Sequence, residues 1–273
     1  MTLEFVSDAQ LSAPTRHVFL SPHYDDIALS SGGTASRITA MGGHPEVALI
    51  FGDHPDPSGP LTEFAESLHK QWGLDAGEVI AGRRLEEAAA SEIIGTSAEF
   101  LPFRDAIYRG RRYLNNDQLF SPPAEDEGDL PGEIIAAANL TSGCESATRV
   151  YVPLAVGFHV DHQHAYRAGV QLAAEGFEVW FYEDLPYGLM PGARERRIDV
   201  ISEHLSPSIH VDVSAQWEQK IDAIFAYPSQ LDTIFVDYVG IGSSRRAVSD
   251  AMKQYAMKVG DGTLCERFWT IDR

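Results

Sequence analysis

The sequence predicts an α/β fold: a Rossmann-like, mostly parallel sheet with helices on both faces and additions at its C-terminal end. Two observations support this prediction. Apolar runs of strand length, such as 17–21 and 46–51, are separated by helical stretches, as in a sheet that is covered on both faces. Polar clusters follow the ends of these runs, at the edge where open parallel sheets bind ligands.

The chain of 273 residues, 44% of them hydrophobic, is long enough to bury a full core. We expect a single domain over residues 1–273, with a core over about 15–185 and an extension of sheet and helices over 186–273. Predicted strands lie at 17–21, 46–51, 98–102, 149–154, 178–181, 209–213 and 266–269. Predicted helices lie at 27–41, 61–72, 78–94, 131–139, 161–174 and 216–225.

Charge and composition exclude several classes of partner. The formal net charge of −19 argues against binding to nucleic acid, which needs a basic face. The sequence lacks a run of eighteen apolar residues and opens without the pattern of a signal peptide, so we expect a cytoplasmic protein that does not enter a membrane. The two cysteines, Cys144 and Cys265, suit a reducing compartment. The sequence leaves open whether the protein forms a homo-oligomer.

Two segments carry more specific expectations. In the helix predicted at 78–94, Leu85, Ala88, Ala89 and Ile93 are spaced for one buried face. The stretch from 106 to 130 is long and irregular, which predicts a segment that covers the substrate. Its acidic run, 125–127, is expected to be a solvated tip.

The first polar cluster is Ser21-Pro22-His23-Tyr24-Asp25-Asp26, directly after the first predicted strand. It offers an imidazole and a carboxylate for a metal, with a second carboxylate left to handle protons. Taken alone, it could equally be a solvated turn or a helix cap.

A second cluster, Gly157-Phe158-His159-Val160-Asp161-His162, follows the strand predicted at 149–154. Two strand ends with complementary ligands are hard to explain as caps. Together they supply a site with three protein ligands and an open position, as catalytic zinc requires. We exclude His164 as a further ligand, because it points about 200° away from His162 on a helix.

These motifs resemble the PIG-L (LmbE-like) family of zinc-dependent N-deacetylases. The family's Pro-His-x-Asp-Asp and His-x-Asp-His loops stand here as PHYDD at 22–26 and HVDH at 159–162. Arg83, Glu86, Ala90 and Gly95 match a family helix, and Asp105 matches the Asp of its substrate loop. The resemblance covers most of 15–185, with Tyr24 in place of the usual Pro and Ile27 in place of a frequent Glu.

The resemblance implies a role for each matched position. The implied metal ligands are His23, Asp26 and His162, holding Zn²⁺, with Fe²⁺ possible in vivo. The implied catalytic residues are Asp25 as proton acceptor and donor, and His159, oriented by Asp161, as stabiliser of the oxyanion. The implied substrate-binding residues are Arg83, Asp105 and Glu183. The residues alone do not choose His162 over His159 as ligand.

The implied activity is hydrolysis of an N-acetyl or other N-acyl group from an amino sugar or its conjugate by zinc-activated water. A thiol-conjugate amidase of the same family and a non-catalytic sugar-binding relative are the alternatives. Two His and one carboxylate also form the facial triad of non-haem Fe(II) oxygenases, which usually lies on an antiparallel barrel.

Overall fold

The computed structural model describes residues 3–55, 59–73, 79–141, 143–206 and 209–271. Its strands are β1 Arg16–Ser21, β2 Glu46–Leu49, β3 Ser97–Phe100, β4 Thr148–Pro153, β5 Glu178–Tyr182, β6 Ile209–Asp212 and β7 Cys265–Trp269. They form one sheet in the order β3-β2-β1-β4-β5-β7-β6. The first five strands pair in parallel, and β7 runs antiparallel to both of its neighbours. The predicted mostly parallel α/β fold is confirmed.

The helices are α1 Asp8–Leu11, α2 Asp26–Ser30, α3 Gly32–Ala40, α4 Glu63–Trp72, α5 Val79–Ile94, α6 Asn116–Leu119, α7 Leu130–Ala137, α8 Val160–Ala174, α9 Ala193–Ile198, α10 Trp217–Ile224 and α11 Arg245–Val259. A π-helix, Asp232–Tyr238, lies between α10 and α11. The helix predicted at 27–41 divides at Ser31 into α2 and α3. The first residue predicted for α5, Glu78, lies outside the described residues.

Alternate side chains of each central strand enter opposite cores. Phe19 and Tyr151 point to one face, where α2, α3, α5, α10 and α11 pack; their rings stack with centroids 4.0 Å apart. Val18 and Val150 point to the other face, which α7 and α8 cover. The period-two alternation of strand side chains therefore feeds two apolar layers, which explains the nearly continuous apolar runs in the sequence.

The order of the strands reverses direction between β1 and β4, in the middle of the sheet. From β1 the chain proceeds through β2 and β3 on one side, then crosses to β4 and β5 on the other. The loops after β1 and β4 therefore diverge at a topological switch point, where open α/β sheets leave a crevice for ligands. A third apolar cluster, from α4, the start of α5 and residues 106–119, contributes Leu68, Ile107 and Leu119 to the lining of this crevice.

The face of α5 that is buried is not the predicted one. Leu85 is 73% exposed, and Ala88 and Ala89 are exposed as well. The buried face instead carries Arg83 and Glu87 with residues such as Ala90 and Ile94. Charged residues at these positions hid the true apolar stripe from a search for hydrophobic periodicity.

The C-terminal strand is tied to the first helices by a buried acid. Glu266 on β7 accepts hydrogen bonds from the backbone N–H groups of Gly33 and Thr34 at the start of α3, at 2.9 and 2.7 Å. Lys220 of α10 donates to the same carboxylate at 2.5 Å. Both charged side chains are almost fully buried, so each compensates the other's desolvation.

From the sequence we expect a protein that does not enter a membrane. Among the residues that the structure describes, none of the helices is both long and apolar enough to cross a bilayer.

The buried carboxyl of Glu87 predicts a pH-dependent stability. Burial raises its pKa to about 8, although the Tyr227 and Ser91 hydroxyls donate hydrogen bonds to it. Because the pKa of Glu87 is higher in the folded than in the unfolded state, its protonation stabilises the fold. This stabilisation is complete below about pH 4.5 and is lost as the pH rises towards 8. We expect Glu87→Gln to flatten the fall in unfolding free energy by about 1.4 kcal/mol per pH unit between those values.

Urea unfolding of wild type and Glu87→Gln across this pH range measures the effect. Glu92→Gln, on the exposed side of the same helix, is the matched control. Parallel pH profiles for wild type and Glu87→Gln would contradict the raised pKa.

Candidate active site

Three histidines from two loops meet at the switch point. His23 lies in the loop after β1, and His159 and His162 come from the loop and first turn after β4. Their ring centroids are 4.8 to 5.5 Å apart, and one nitrogen of each lies within 4.8 Å of the others. The structure therefore brings together the two clusters that the sequence singled out.

The hydrogen bonds of His23 and His162 define which nitrogen of each ring is free. Nε2 of His23 lies 3.0 Å from Asp161 Oδ2, and Nδ1 of His162 lies 2.6 Å from Asp184 Oδ1. The opposite nitrogens, His23 Nδ1 and His162 Nε2, lie 3.6 and 3.4 Å from the same oxygen, Oδ2 of Asp26. Carboxylates that fix the rear nitrogen of a ligating His are typical of metal sites.

These spacings fit a tetrahedral metal ion. Zinc bonds of about 2.0 to 2.1 Å at tetrahedral angles place neighbouring ligand atoms about 3.4 Å apart. Two groups of described residues could hold a metal ion: one is His23, His159 and His162, and the other is His23, Asp105 and Asp161. In that group Asp161 is already engaged, because it accepts hydrogen bonds from the Ala106 N–H at 3.0 Å and from Arg109 at 2.6 Å. Asp26 belongs to neither group and its Oδ2 also accepts a hydrogen bond from the His23 N–H at 2.7 Å, but it is the carboxylate that both free histidine nitrogens face.

The surroundings of these histidines favour a cation. Burial opposes the protonation of His23, but the hydrogen bond to Asp161 and the charges of Asp105 and Asp26 outweigh it and raise its pKa to about 9. For His162, burial lowers the pKa, but Asp26 and Asp184 outweigh this effect, so the net pKa is raised. A divalent ion in place of these protons would meet the same negative field.

His159 differs from the other two histidines in its hydrogen bonds. Its Nδ1 accepts a hydrogen bond from the backbone N–H of Asp161 at 3.2 Å. Burial and the neighbouring His23 hold the pKa of His159 well below its usual range. The ring is therefore neutral with its proton on Nε2, which leaves an N–H donor. Asp161 orients His159 through its backbone, whereas its carboxylate serves His23 and Arg109.

Asp25 provides a carboxylate beside the donor set. It precedes α2, is 7% exposed and lines the cleft together with Asp26 and the histidines. Arg83 Nη2 stands 3.9 Å from Asp25 Oδ1, too far for a hydrogen bond. Burial raises the pKa of Asp25, although the guanidinium opposes the shift. A buried carboxylate of raised pKa in a cleft is suited to proton transfer.

Arg83 reaches the cleft from the buried face of α5. Its guanidinium carbon lies 4.8 Å above the Tyr24 ring and 5.4 Å from the Trp72 ring centroid, and its Nε has no hydrogen-bond partner among the described residues. Tyr24 in turn donates a hydrogen bond to the Gly52 carbonyl at 2.6 Å. Tyr24 thus supports the arginine and ties the loop after β1 to the loop after β2.

Asp105 lies on the opposite side of His23. Its Oδ2 is 3.7 Å from His23 Nε2, and its Oδ1 accepts a hydrogen bond from the Ile107 N–H at 3.1 Å. Burial raises its pKa, an effect that the charge of His23 opposes. Asp105 therefore faces the same cleft as Asp25, as expected from the sequence.

The segment over 106–130 is more ordered than predicted. It contains two 3₁₀ turns, Ala106–Tyr108 and Glu125–Glu127, as well as α6. Glu125 and Asp126 are exposed, but Glu127 is buried and receives hydrogen bonds from Arg109 at 2.7 Å and Tyr113 at 2.6 Å. The expectation of a fully solvated acidic tip was wrong for Glu127.

Glu183 does not reach the cleft with its carboxylate. That group accepts hydrogen bonds from Arg267 at 2.7 and 2.8 Å and from Trp269 at 3.0 Å, and it also contacts Tyr255. Glu183 therefore ties β7 to the sheet, and its contacts do not support the substrate role expected for it. Its neighbour Asp184 supports His162 instead.

Several residues in and around the cleft had no role assigned from the sequence. Arg109 and Glu127, which lie beside the cleft and support Asp161 and His164, come from a stretch without regular patterning. Tyr187 follows β5, and Gln230, Thr233 and Tyr238 come from the C-terminal extension, whose pairing with the site has no local signal. His164 points to Glu127, with 3.1 Å between Nε2 and Oε2, and so faces away from the metal donors as predicted.

Comparisons with known proteins agree with this architecture. Residues 18–173 match the family described as PIG-L, GlcNAc-PI de-N-acetylase. The 2'-N-acetylparomamine deacetylase of Niallia circulans is 30% identical over 62% of this chain and 66% of that protein. The protein of the same name from Streptomyces fradiae is 30% identical over 80% of this chain and 74% of its own length.

A solved deacetylase from the biosynthesis pathway of teicoplanin shares the fold. It has a TM-score of 0.78 and 24% identity, and the match covers 94% of this chain and 98% of that one. The donor set and its spare carboxylate are of the kind found in metal-dependent hydrolases. The chain belongs to the PIG-L family. Its parallel sheet also differs from the antiparallel barrel typical of facial-triad oxygenases.

Arg109 is expected to be essential to the stability of this region. It pairs with Asp161, which is fully buried, and with Glu127. Replacing Arg109 with Met removes the guanidinium that bonds directly to both buried carboxylates, so we expect a loss of about 3 to 5 kcal/mol in unfolding free energy. Urea unfolding measures it, with Arg112→Met as control, because Arg112 is more exposed and pairs mainly with exposed Asp126. Equal stabilities of the two variants would contradict the prediction.

Proposed function

We propose that the protein is a metal-dependent deacetylase that removes an N-acetyl group from an amino sugar or an amino-sugar conjugate. The observation that carries the proposal is the pair of free nitrogens, on His23 and His162, that face one oxygen of Asp26 with Asp25 alongside. The curated relatives are named for an N-acetylated amino sugar, which supports that substrate class.

The metal proposed for the site is Zn²⁺, held by His23, Asp26 and His162. The donor set of two nitrogens and one carboxylate oxygen suits zinc, and Fe²⁺ would accept the same ligands. When bound, the ion supplies a water of lowered pKa and polarises the amide carbonyl. Asp161 and Asp184 hold the two ligand rings in place through their rear nitrogens.

The remaining residues handle protons and charge. Asp25 accepts the proton of the attacking water and later delivers it to the leaving amine, for which its raised pKa prepares it. His159 donates its Nε2–H to the carbonyl oxygen as negative charge develops there. Arg83 and Asp105 flank the cleft and bind the polar groups of the substrate.

Two alternatives use the same fold. A thiol-conjugate amidase would cleave a larger amide with the same groups, and a non-catalytic sugar-binding protein would need no proton acceptor. The buried, raised-pKa carboxylate of Asp25 favours an enzyme over the binding protein, because keeping such a group beside a metal costs stability without a gain in binding.

Acetate release tests the proposal. Zinc-loaded protein is incubated with N-acetylglucosamine, N,N'-diacetylchitobiose and 2'-N-acetylparomamine, with a chelator-treated sample as control. We expect release from at least one compound that the chelator abolishes and added Zn²⁺ restores. No release from any compound by protein with verified metal content would reject N-acetyl amino sugars of this kind as substrates.

The role of Asp25 gives a sharper test. We expect Asp25→Asn to retain the metal and to lower kcat by about 10² to 10⁴, because the general base is lost. Metal content by atomic emission and kcat by acetate release are measured on the same preparation. His162→Ala is the contrasting variant, in which metal itself is lost. Normal turnover by metal-loaded Asp25→Asn would rule out the assigned role.

A further inference from the structure

One wall of the cleft is built by an unusual helix. Residues Asp232–Tyr238 form a π-helix, and stretches of this kind are rare and often lie at functional sites. Its i to i+5 hydrogen-bonding pattern brings residues five apart onto one face. Thr233 and Tyr238 are such a pair and both line the cleft. In an α-helix they would point roughly 140° apart.

The other side chains of this helix fix its orientation. Phe235 is fully buried in the core, whereas Val236 is 43% exposed on the outside. Thr233 is buried, and Tyr238 is half-buried at the cleft. The winding thus separates an anchoring side, an outer side and a side that faces the cleft.

Tyr238 belongs to a cluster of rings that extends from the histidines. Phe120 packs edge-on against His159 with centroids 5.4 Å apart, and Tyr187 does so against His162 at 6.0 Å. Tyr238 contacts both of these rings, at 6.0 Å from Phe120 and 6.1 Å from Tyr187. The cluster therefore has an inner layer on the histidines and Tyr238 one ring further out.

The polar groups on this wall are available to a ligand. Within the described parts of the chain, the hydroxyls of Thr233, Tyr187 and Tyr238 have no hydrogen-bond partner. Burial, with the charges of Asp105 and Asp25, raises the pKa of Tyr238 to about 12. The phenol is therefore neutral and able both to donate and to accept.

We propose that Thr233, Tyr238 and the ring of Tyr187, which line the cleft, form the subsite that selects the sugar attached to the scissile amide, with Phe120 supporting the Tyr238 ring from behind. The apolar C–H face of a pyranose ring packs on the aromatic cluster, and the Thr233 and Tyr238 hydroxyls bond to its hydroxyl or amino groups. Aromatic faces combined with unpaired neutral hydroxyls fit a sugar better than an acyl chain, which would leave those hydroxyls unpaired. This inference rests on the proposed function, because that function places the N-acyl group of the substrate beside the proposed metal ligands.

Kinetics of four variants test the subsite. Tyr238→Phe and Thr233→Val each remove one hydroxyl, and Tyr238→Ala removes the outer ring. Val236→Ala, on the outer side of the same helix, is the control. With 2'-N-acetylparomamine we expect KM to rise about threefold for each lost hydroxyl and about tenfold or more for the lost ring. We expect kcat to stay within about twofold, since none of these groups handles the reacting atoms.

A binding experiment separates this inference from the proposed function. Metal-free protein is titrated with 2'-N-acetylparomamine and with N-acetylglucosamine, and tryptophan fluorescence is followed, since Trp72 lines the cleft. Weaker binding by Tyr238→Ala and Thr233→Val than by Val236→Ala supports the subsite even if the wild type releases no acetate. Affinities and KM values equal to those of Val236→Ala would overturn it, and unchanged thermal unfolding of Tyr238→Phe establishes that its fold is intact.

Discussion

The site depends on one fully buried carboxylate, that of Asp161. Its two oxygens bind His23 from the loop after β1, and Ala106 and Arg109 from the segment after β3, while its backbone N–H orients His159. Because Asp161 is itself at the start of α8, it joins three loops in a region without access to water. Its charge is balanced by Arg109, so a single ion pair fixes both the orientation of His23 and the position of the segment after β3.

Strand positions were predictable because the chemistry that creates them is local. All seven predicted strands are present within one or two residues. β1, β4 and β5 are almost entirely buried and therefore carry continuous apolar runs, whereas β3 and β6 are only partly covered. The convergence of His23, His159 and His162 was also predictable, because parallel strands bring their C-terminal ends to one edge. The resemblance to a family added candidate roles for individual residues. For Glu183, the contacts of its carboxylate do not support the suggested role in substrate binding.

The remainder depends on pairings that local patterns do not encode. On α5 the buried face includes Arg83 and Glu87, whose burial is possible only through partners such as Tyr227, 140 residues away. Glu127 looks like part of a solvated acidic run until Arg109 and Tyr113 are folded against it. The π-helix carries no composition signal, and α11 was not predicted from its sequence. Buried polar networks and the C-terminal wall are therefore visible only in three dimensions.

The bond between Glu266 and the start of α3 has a consequence for how the molecule forms. The two partners are separated by more than 230 positions along the chain, and Lys220 must join them for its own charge to be balanced. Contacts of such sequence separation slow folding, because a long loop is closed before the contact rewards it. When only β1 to β5 have formed, the first amides of α3 still lack the carboxylate that binds them. This part of the core is therefore complete only when β7 has joined the sheet beside β5 and β6.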